Sequence, residues 1–460
     1  MTRRLFGTDG VRGRAGVFPL DRRTIRRLGA ALVRALPSGA GAPHLLIGRD
    51  TRESGEWIER EFAFGAGSAG ARTASAGVIS TPAVAYLTRR SGFAAGVVIS
   101  ASHNPFEDNG IKVFSGAGEK YTEALEAEVE ALVSDPSWRE PDGDATRVDQ
   151  ADLVGRYLGH AREAIAADLP RHVRRIAVDC ANGATYALAP PLLRDLGFDV
   201  VTTGCSPDGR NINLRCGSTH PETLAGLVLE HHCDVGIAFD GDGDRAILID
   251  ASGRTVNGDT VMFICARQMK AAGRLRGDAI VATVMSNVGL EIALKRYGIG
   301  MVRCPVGDKY VMEELITRGL TLGGEQSGHV IFTESLFTGD GLVTALNVLK
   351  VMAETGRSLG DLAGDLTTYP QVLLNVRVRD RRDWTTLPGI VAATSRIEER
   401  LNGRGRLLIR YSGTEPLLRI MIEGERDDEI RAWAEEIAAE ARAALGEQGS
   451  GTGDRGPAEH

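Results

Sequence analysis

One plan of apolar strand, polar loop, helix and second apolar strand occurs three times along the chain, and it constrains the fold more than any other feature. The copies begin near Leu45, Ile176 and Ala279. Strands that alternate with helices in this way are typical of parallel sheets covered by helices. Because the copies recur at intervals of roughly a hundred residues, the sequence predicts three related α/β domains that are alike in pattern more than in identity.

The rest of the chain is organised around these copies. A chain of 460 residues is too long for one hydrophobic core. The polar, proline-bearing stretch SDPSWREPDGDATRVD is typical of a linker. From about Tyr369 the pattern changes to strand, helix, two strands and a final helix, which predicts a smaller α+β unit. The predicted domains are 1–155, 156–255, 256–368 and 369–446, followed by a polar tail, 447–460, that we expect to be disordered.

Charge and cysteine usage exclude several classes of protein. The formal net charge of -7 argues against a general binder of nucleic acid or of anionic membranes. The six cysteines contain no C-x-x-C pair, which disfavours both a zinc site and a disulfide framework and favours reduced, cytoplasmic thiols. No stretch of about 18 apolar residues occurs, so we expect neither export nor membrane anchoring.

The segment DGDGDR contains the strongest chemical signal. Asp240, Asp242 and Asp244 occupy alternate positions, so an extended chain points all three carboxylates to one side. Such closely spaced like charges favour a divalent cation. An EF-hand loop is excluded, because its sixth and twelfth positions would be Arg245 and Ala251. The alternative that stays open is a solvated acidic turn between strands.

The stretch GVVISASHNPFEDNGIKVF ends a buried strand with Ser102, His103 and Asn104. Taken alone, these residues fit the cap of a short helix beginning at Pro105 as well as they fit a reactive loop. A second loop, GGEQSGHVIF, places Glu325, Ser327 and His329 between glycines and a strand. A carboxylate and a hydroxyl at short range suit paired sugar hydroxyls, and a polar turn is the alternative.

The segment IRYSGTEPLLRIMIEG places Arg410, Ser412, Thr414 and Arg419 around a glycine turn. Guanidinium groups, hydroxyls and backbone amides that converge on one loop predict a phosphate site, and a hairpin with incidental surface arginines is the alternative. Arg12, in FGTDGVRG, adds one more arginine on a glycine-rich loop. A serine, a metal site, a hydroxyl-reading loop and a phosphate loop together indicate phosphoryl transfer.

The sequence resembles the α-D-phosphohexomutase family over about residues 3–445. The resemblance is carried by five motifs in the family's order: FGTDGVRG, ISASHNPFEDNGIKVFS, DGDGDR, GEQSGH and RYSGTEPLLR. It implies four domains around a central cleft, three of them related mixed-sheet α/β domains and the fourth a smaller α+β domain. It also implies that Ser102 must be phosphorylated for activity.

The resemblance assigns roles to the residues of these motifs. It implies one Mg²⁺ per active site, held by Asp240, Asp242, Asp244 and the phosphorylated Ser102. Glu325 and Ser327 would bind sugar hydroxyls. The resemblance also implies candidate acid or base groups or groups that surround the phosphoserine, namely His103, Lys112, Arg245 and His329. The residues that would bind the phosphate that is not transferred are Arg410, Ser412, Gly413, Thr414 and Arg419.

Within the family, the sequences of the motifs resemble those of the glucosamine branch. This resemblance implies that the partners are amino-sugar phosphates and that glucosamine 6-phosphate is converted to glucosamine 1-phosphate. Neither nucleic acid nor membrane is an expected partner, and a homodimer is left open. Lys309 and Phe337 depart from the branch pattern and bear on selectivity. Two alternatives stay open, namely a phosphoglucomutase or phosphomannomutase and a non-catalytic sugar-phosphate-binding regulator.

Overall fold

A computed structural model describes most of the chain, namely residues 5–7, 9–37, 41–139, 143, 145, 148–163, 169–170, 172–412 and 415–446. Gly413, Thr414 and the predicted disordered tail lie outside the described residues. The chain divides into two compact units, the first comprising 1–286 with 293–366 and the second 287–292 with 367–460. No helix within the described ranges is long and apolar enough to cross a membrane.

The first unit begins with a six-stranded sheet in the order β1-β2-β6-β5-β3-β4. Its central strand β5 is apolar and wholly buried, as expected for a strand covered on both faces. The elements are β1 (Phe6–Gly7), β2 (Gly10–Arg14), α1 (Arg22–Ala35), β3 (His44–Arg49), α2 (Gly55–Ser68), β4 (Arg72–Val78), α3 (Thr81–Arg90), β5 (Ala95–Ile99), β6 (Asp108–Ser115) and α4 (Glu123–Val133), followed by α5 (Val154–Glu163).

Two further sheets follow, of five and four strands, in the orders β11-β10-β9-β7-β8 and β13-β12-β14-β15. The five-stranded sheet and its helices comprise β7 (Arg175–Asp179), α6 (Ala189–Asp195), β8 (Asp199–Thr203), α7 (Pro221–Glu230), β9 (Val235–Phe239), β10 (Ala246–Asp250) and β11 (Thr255–Val256). The next elements are α8 (Gly258–Ala271), β12 (Ala279–Thr283), α9 (Val288–Arg296), β13 (Gly300–Cys304), α10 (Asp308–Arg318), β14 (Leu322–Gly324), β15 (Val330–Phe332), α11 (Gly341–Thr355) and α12 (Leu359–Ala363).

The three sheets share one core topology, which confirms the predicted relationship. The shared orders are β4-β3-β5-β6, β8-β7-β9-β10 and β13-β12-β14-β15. In each, the first three strands are parallel and the fourth is antiparallel to its neighbour. The loop between the third and fourth strands therefore leaves the carboxyl end of a parallel strand, where open α/β sheets place their ligands. Those loops carry Ser102, the three aspartates and the GEQSGH segment.

The second unit is the predicted smaller α+β domain. Its three strands form an antiparallel sheet in the order β16-β18-β17. One hydrophobic core joins the sheet to two helices, through residues such as Ile390, Ile420 and Ile437. The elements are β16 (Gln371–Arg377), α13 (Pro388–Leu401), β17 (Arg406–Tyr411), β18 (Leu417–Glu423) and α14 (Asp427–Leu445).

Candidate active site

Ser102 lies three residues beyond the end of β5, in a strained and buried position. Its backbone φ is 52°, a left-handed conformation that is uncommon outside glycine and that clusters at functional sites. The residue is 1% exposed. Its hydroxyl donates to Oδ2 of Asp240 at 2.5 Å and lies 3.3 Å from Nδ1 of His103. The hydroxyl that the sequence singled out therefore contacts the aspartate cluster directly.

Arg52, which our sequence analysis missed, holds the Ser102 loop in place. Nε of Arg52 donates to Oδ2 of Asp50 at 2.8 Å, and both side chains are fully buried. Its guanidinium also donates to backbone carbonyls around the loop, those of Ser102, Asn104, Pro105 and Asp108. The sequence signal for this role is an Asp-x-Arg segment directly after a buried strand. Arg49, the last residue of β3, instead pairs with Glu59 of α2.

A second missed residue, Asn213, supports the same loop from the neighbouring sheet. Its side-chain amide donates to the carbonyls of Ser102 at 2.9 Å and Asn104 at 3.1 Å. The metal-loop residue Gly241 also approaches closely, since a Cβ there would lie 2.5 Å from the carbonyl oxygen of Ser102. Glycine is therefore required for the serine loop and the aspartate loop to meet.

The three aspartates form a buried cluster that fits a divalent cation. Asp240, Asp242 and Asp244 are each at most 3% exposed, and one carboxylate oxygen from each lies within 4.8 Å of the others. Oδ1 of Asp242 and Oδ1 of Asp244 have no hydrogen-bond partner among the described residues. Buried carboxylate oxygens without partners are costly unless a cation binds them. The donors are all hard oxygens, which suit Mg²⁺.

Lys112 on β6 supplies a positive charge to this cluster. Its Nζ lies 2.8 Å from Oδ2 of Asp242, 2.9 Å from Oδ2 of Asp9 and 3.6 Å from Oδ2 of Asp244. Burial opposes the ammonium charge, but these three carboxylates outweigh it and raise the pKa of Lys112 well above its ordinary value. Burial, together with repulsion from Asp244 and Asp242, raises the pKa of Asp240 well above its ordinary value. The cluster holds more negative charge than Lys112 alone balances.

His103 and Arg245 form the rim of the cluster. Nη1 of Arg245 donates to Nδ1 of His103 at 3.2 Å, and the backbone amide of Arg245 donates to Oδ1 of Asp240 at 3.2 Å. Burial, reinforced by the charges of Arg245 and Arg12, lowers the pKa of His103 to about 4. The His103 ring is therefore neutral near pH 7. Arg12 itself forms an ion pair with Asp9, which connects the FGTDGVRG loop to Lys112.

Two other residues that sequence reasoning missed complete the surroundings. Thr81, at the start of α3, donates its hydroxyl to Oδ2 of Asp242 at 2.5 Å. Lys120 donates to Oδ1 of Asp9 at 2.6 Å and also pairs with Asp308. Neither residue has a local sequence signal, because both reach the site only through tertiary packing.

The GEQSGH loop divides into a buried end and an exposed end. His329 is 1% exposed. Its Nε2 accepts from the backbone amide of Gly339 at 3.0 Å, and its Nδ1 lies 3.6 Å from Oδ2 of Asp244. Glu325 accepts from the backbone amide of Gly307 at 3.1 Å, and the hydroxyl of the exposed Ser327 lies 3.4 Å from Glu325. Glu325 and Ser327 are thus open to a ligand, whereas His329 faces the aspartates.

The two departures from the glucosamine-branch pattern interact with helices of the first sheet. Lys309, at the start of α10, pairs with Glu126 of α4 at 3.3 Å. The ring of Phe337 lies 5.9 Å from the guanidinium carbon of Arg89 on α3. Both residues therefore contact the first sheet's helices.

The C-terminal loop is described within the second unit alone. Arg410 and Arg419 are directly opposed across β17 and β18. Like charges in this arrangement destabilise a strand pair unless an anion lies between or beside them. Ser412 accepts from the amide of Glu415 at 3.2 Å, and Glu415 pairs with Arg419 at 3.1 Å. Nε of Arg419 has no partner in the described part of the chain.

Glu325 and Ser327 lie at the outer end of the GEQSGH loop, and the other predicted site residues that the structure describes form two groups. Within the first unit the structure brings together the serine, the three aspartates and their charged neighbours, namely Ser102, His103, Lys112, Asp240, Asp242, Asp244, Arg245 and His329, with Arg12 at the edge through Asp9. Arg410, Ser412 and Arg419 form the second group, within the second unit.

The chain resembles known proteins in its domain families, its sequence and its structure. Four segments match phosphoglucomutase/phosphomannomutase domains: alpha/beta/alpha domain I over 3–140, domain II over 156–253, domain III over 257–369 and the C-terminal domain over 373–440. A phosphoglucosamine mutase from Solibacter usitatus is 48% identical over 451 residues, which cover 97% of this chain and 100% of that protein. A phosphoglucosamine mutase from Pseudomonas aeruginosa (strain UCBPP-PA14) is 44% identical over 439 residues, or 95% and 98% of the two chains.

Solved structures share the fold. A phosphoglucomutase/phosphomannomutase family protein from Burkholderia thailandensis superposes with a TM-score of 0.78 at 23% identity, over 96% of this chain and 98% of that one. N-acetylphosphoglucosamine mutase from Aspergillus fumigatus, in complex with GlcNAc-6P and magnesium, gives 0.65 at 19% identity, over 96% of both chains. With four matched domains and relatives at 44–48% identity, the chain belongs to the phosphoglucomutase/phosphomannomutase family, the α-D-phosphohexomutases.

Proposed function

We propose that this enzyme is an isomerase that interconverts glucosamine 6-phosphate and glucosamine 1-phosphate, a step toward UDP-N-acetylglucosamine and peptidoglycan. One observation carries the chemistry: the buried Ser102 hydroxyl donates to Asp240 at 2.5 Å, within a carboxylate cluster that has unpartnered oxygens. The choice of amino sugar is supported by the relatives at 44–48% identity, which are phosphoglucosamine mutases.

The reaction we propose begins with Ser102 already phosphorylated. The free hydroxyl of the sugar monophosphate attacks the phosphorus, the bond between phosphorus and Oγ of Ser102 breaks, and a sugar bisphosphate forms. The bisphosphate then turns over and returns its other phosphoryl group to Ser102, so that the phosphorylated enzyme is regenerated. No water enters this cycle.

Asp240, Asp242 and Asp244 would hold one Mg²⁺ against the phosphorylated Ser102. When bound, the cation neutralises charge on the phosphoryl group during transfer. Lys112 stays protonated among its carboxylates and so would bind phosphoryl oxygens as a cation rather than act as a base. His103 is neutral near pH 7 and lies 3.3 Å from Oγ of Ser102, so we assign it proton transfer at the reacting oxygens.

His329 and Arg245 have more indirect roles in this proposal. His329 donates toward Asp244 while Gly339 fixes its other nitrogen, so it orients a metal ligand. Arg245 would bind the phosphoryl group from the rim of the cluster, and Arg12 would do so from the edge beside Asp9.

Substrate recognition is assigned to two loops. Glu325 and Ser327 would bind sugar hydroxyls, which the half-buried position of Glu325 and the exposed position of Ser327 support. The opposed Arg410 and Arg419 support an anion site in the last domain, where Ser412, Gly413 and Thr414 would complete the binding of the phosphate that is not transferred. We propose the domain division 1–155, 156–255, 256–368 and 369–446, and a cytoplasmic location, which the six free cysteines support.

The test compares two variants in two assays. Peptide mass spectrometry of active enzyme should find phosphate on residues 96–114, and Ser102→Ala should abolish exchange with a sugar bisphosphate at any concentration. Arg419→Ala should raise the substrate concentration at half-maximal rate by about 10- to 150-fold while Ser102 still accepts phosphate from excess bisphosphate. Active protein without this modification, with Ser102→Ala near wild-type turnover, would refute the mechanism.

Three substrates and one product assay separate the alternatives. Turnover should be fastest on glucosamine 6-phosphate when compared with glucose and mannose phosphates. Faster turnover of a hexose phosphate would reassign the enzyme to the phosphoglucomutase or phosphomannomutase branch. No turnover on any of them would indicate a regulator, and release of inorganic phosphate would indicate a hydrolase.

A further inference from the structure

Two cysteines that are distant in sequence meet behind the metal loop. Cys180 directly follows β7, and Cys205 lies two residues beyond β8. These strands are parallel neighbours whose last paired residues are Asp179 and Thr203. The backbone amide of Cys180 donates to the carbonyl of Thr203 at 3.3 Å, and the Cys205 thiol donates to the same carbonyl at 3.2 Å. The backbone amide of Cys180 and the thiol of Cys205 therefore share one carbonyl acceptor at the end of the sheet.

The strand geometry permits a disulfide at this point. Continuing the register places Gly204 opposite Cys180 and Cys205 one position further on. Paired strands are about 4.8 Å apart, and disulfides join Cα atoms about 4.4 to 6.8 Å apart, which leaves room for such a diagonal pair. Gly204, between Thr203 and Cys205, has a left-handed φ of 60° and turns the chain back toward Cys180. Both cysteines are free thiols in this structure, and their loops are joined where the backbone amide of Asn182 donates to the carbonyl of Gly204 at 2.6 Å.

The two thiols differ in access to solvent. Cys180 is wholly buried, whereas Cys205 is half-buried. A third thiol, Cys216, lies near Asn182 at 3.9 Å, but among the described residues only the aspartate cluster brings three potential metal ligands together. The thiols therefore form a pair suited to oxidation rather than a metal site.

We propose that Cys180 and Cys205 form a reversible redox modification site, which closes into a disulfide by exchange with a low-molecular-weight disulfide. The Cys205 thiolate attacks one sulfur of the small disulfide and releases one small thiolate. Cys180 then loses its proton and attacks Sγ of Cys205, releasing the second small thiolate. The net change is two protein thiols and one small disulfide converted into one protein disulfide and two small thiols.

The ionisation of the two thiols agrees with this order of attack. A hydrogen bond from Cys180 lowers the pKa of Cys205, and burial raises the pKa of Cys180 well above its ordinary value. The accessible thiol is thus the better source of thiolate, which is the attacking species.

The pair is connected to the active site by a short turn. Residues 181–183 follow Cys180 and press against the metal loop, since a Cβ on Gly183 would lie 2.3 Å from the carbonyl oxygen of Gly241. The backbone amide of Ala184 donates to that same oxygen at 2.8 Å. Closing the disulfide draws Cys180 toward Cys205 and moves this turn, and with it the metal loop that the turn contacts. Misplacement of a catalytic loop by about 1 Å costs on the order of 100-fold in rate. We expect oxidation to lower turnover by about 10-fold or more.

The test treats the full-length enzyme with oxidised glutathione and maps its peptides under non-reducing conditions. We expect one peptide pair linked through Cys180 and Cys205, the loss of two titratable thiols, and recovery of both thiols and turnover with dithiothreitol. The cross-link is read by mass and needs no activity, so its failure is distinct from failure of the proposed reaction.

Two variants and one control test whether Cys180 and Cys205 form the disulfide. Cys205→Ser should fold normally, form no link and keep its turnover under oxidation, and Cys180→Ala should leave a glutathione adduct on Cys205. Cys216→Ser is the matched control and should respond as the wild type does. Absence of the linked peptide, or loss of turnover in oxidised Cys205→Ser equal to that of wild type, would overturn the proposed site. A complete link without change in turnover would overturn the coupling to the metal loop.

Discussion

Replacing Arg52 by methionine tests whether the Ser102 loop is held by a buried charge. The wild-type guanidinium pairs with Asp50 at 2.8 Å and donates to carbonyls of the loop, including those of Ser102 and Asn104 at 2.9 Å each. Methionine has a similar length but donates no hydrogen bond. The substitution leaves the Asp50 carboxylate buried, with the Ser100 hydroxyl and a backbone amide as its remaining donors among the described residues.

The expected cost follows from these contacts. Removing one partner of a buried ion pair costs about 3 to 5 kcal/mol, since the remaining charge keeps its desolvation penalty. The loss is local to residues 100–108, so amide exchange in this loop should accelerate by about 150- to 5,000-fold. Turnover should fall by about 100-fold, because the Ser102 hydroxyl loses its fixed position while the substrate-binding loops stay intact.

Hydrogen exchange with peptide-level mass spectrometry measures the effect directly, and it avoids the multi-step unfolding expected of a multidomain chain. Arg49→Met is the matched control, because Arg49 pairs with Glu59 and makes no contact with the loop in the described structure. The double variant with Asp50→Asn should recover part of the stability but not the turnover. Loop exchange within about threefold of wild type in Arg52→Met would refute the reasoning.

Two further substitutions test the electrostatics of buried carboxylates. Asp240→Asn relieves repulsion from Asp242 and Asp244, so the free energy of unfolding of the metal-free protein should rise by about 1 kcal/mol, or roughly 2 to 4 °C in thermal unfolding. Turnover should fall by about 100-fold. A variant less stable than wild type in the presence of EDTA would contradict this. Burial raises the pKa of Asp340 to about 6, so the stability it contributes is present below about pH 4 and is lost as pH rises through 6. The side chain in Asp340→Asn can still accept from the Tyr157 hydroxyl, 3.1 Å away in wild type. This variant should lack the decline in stability with rising pH, which is worth up to about 3 kcal/mol. Parallel curves of stability against pH for the two proteins between pH 4 and 8 would contradict the prediction.

The sequence by itself determined the features that depend on local pattern. Alternating strands and helices repeat with a fixed order, so three related α/β domains and a different fourth domain were predictable before any contact was known. The aspartates of DGDGDR are close in sequence, and an extended chain must place their carboxylates together. Ser102 was likewise marked by its position at the end of a buried strand, and the resemblance carried by the five motifs predicts its role.

Only the tertiary structure decided which distant side chains meet. Arg52 is 50 residues from the serine it supports, and Lys112 lies between Asp9 and Asp242 because the loops that carry these two aspartates converge on β6. Cys180 and Cys205 are separated by a helix and a strand, so their spacing in sequence disfavoured a disulfide, yet the parallel pairing of β7 with β8 brings them to one edge of the sheet. The register between strands is set by burial of whole faces rather than by any local segment, and a single sequence read locally does not contain that information.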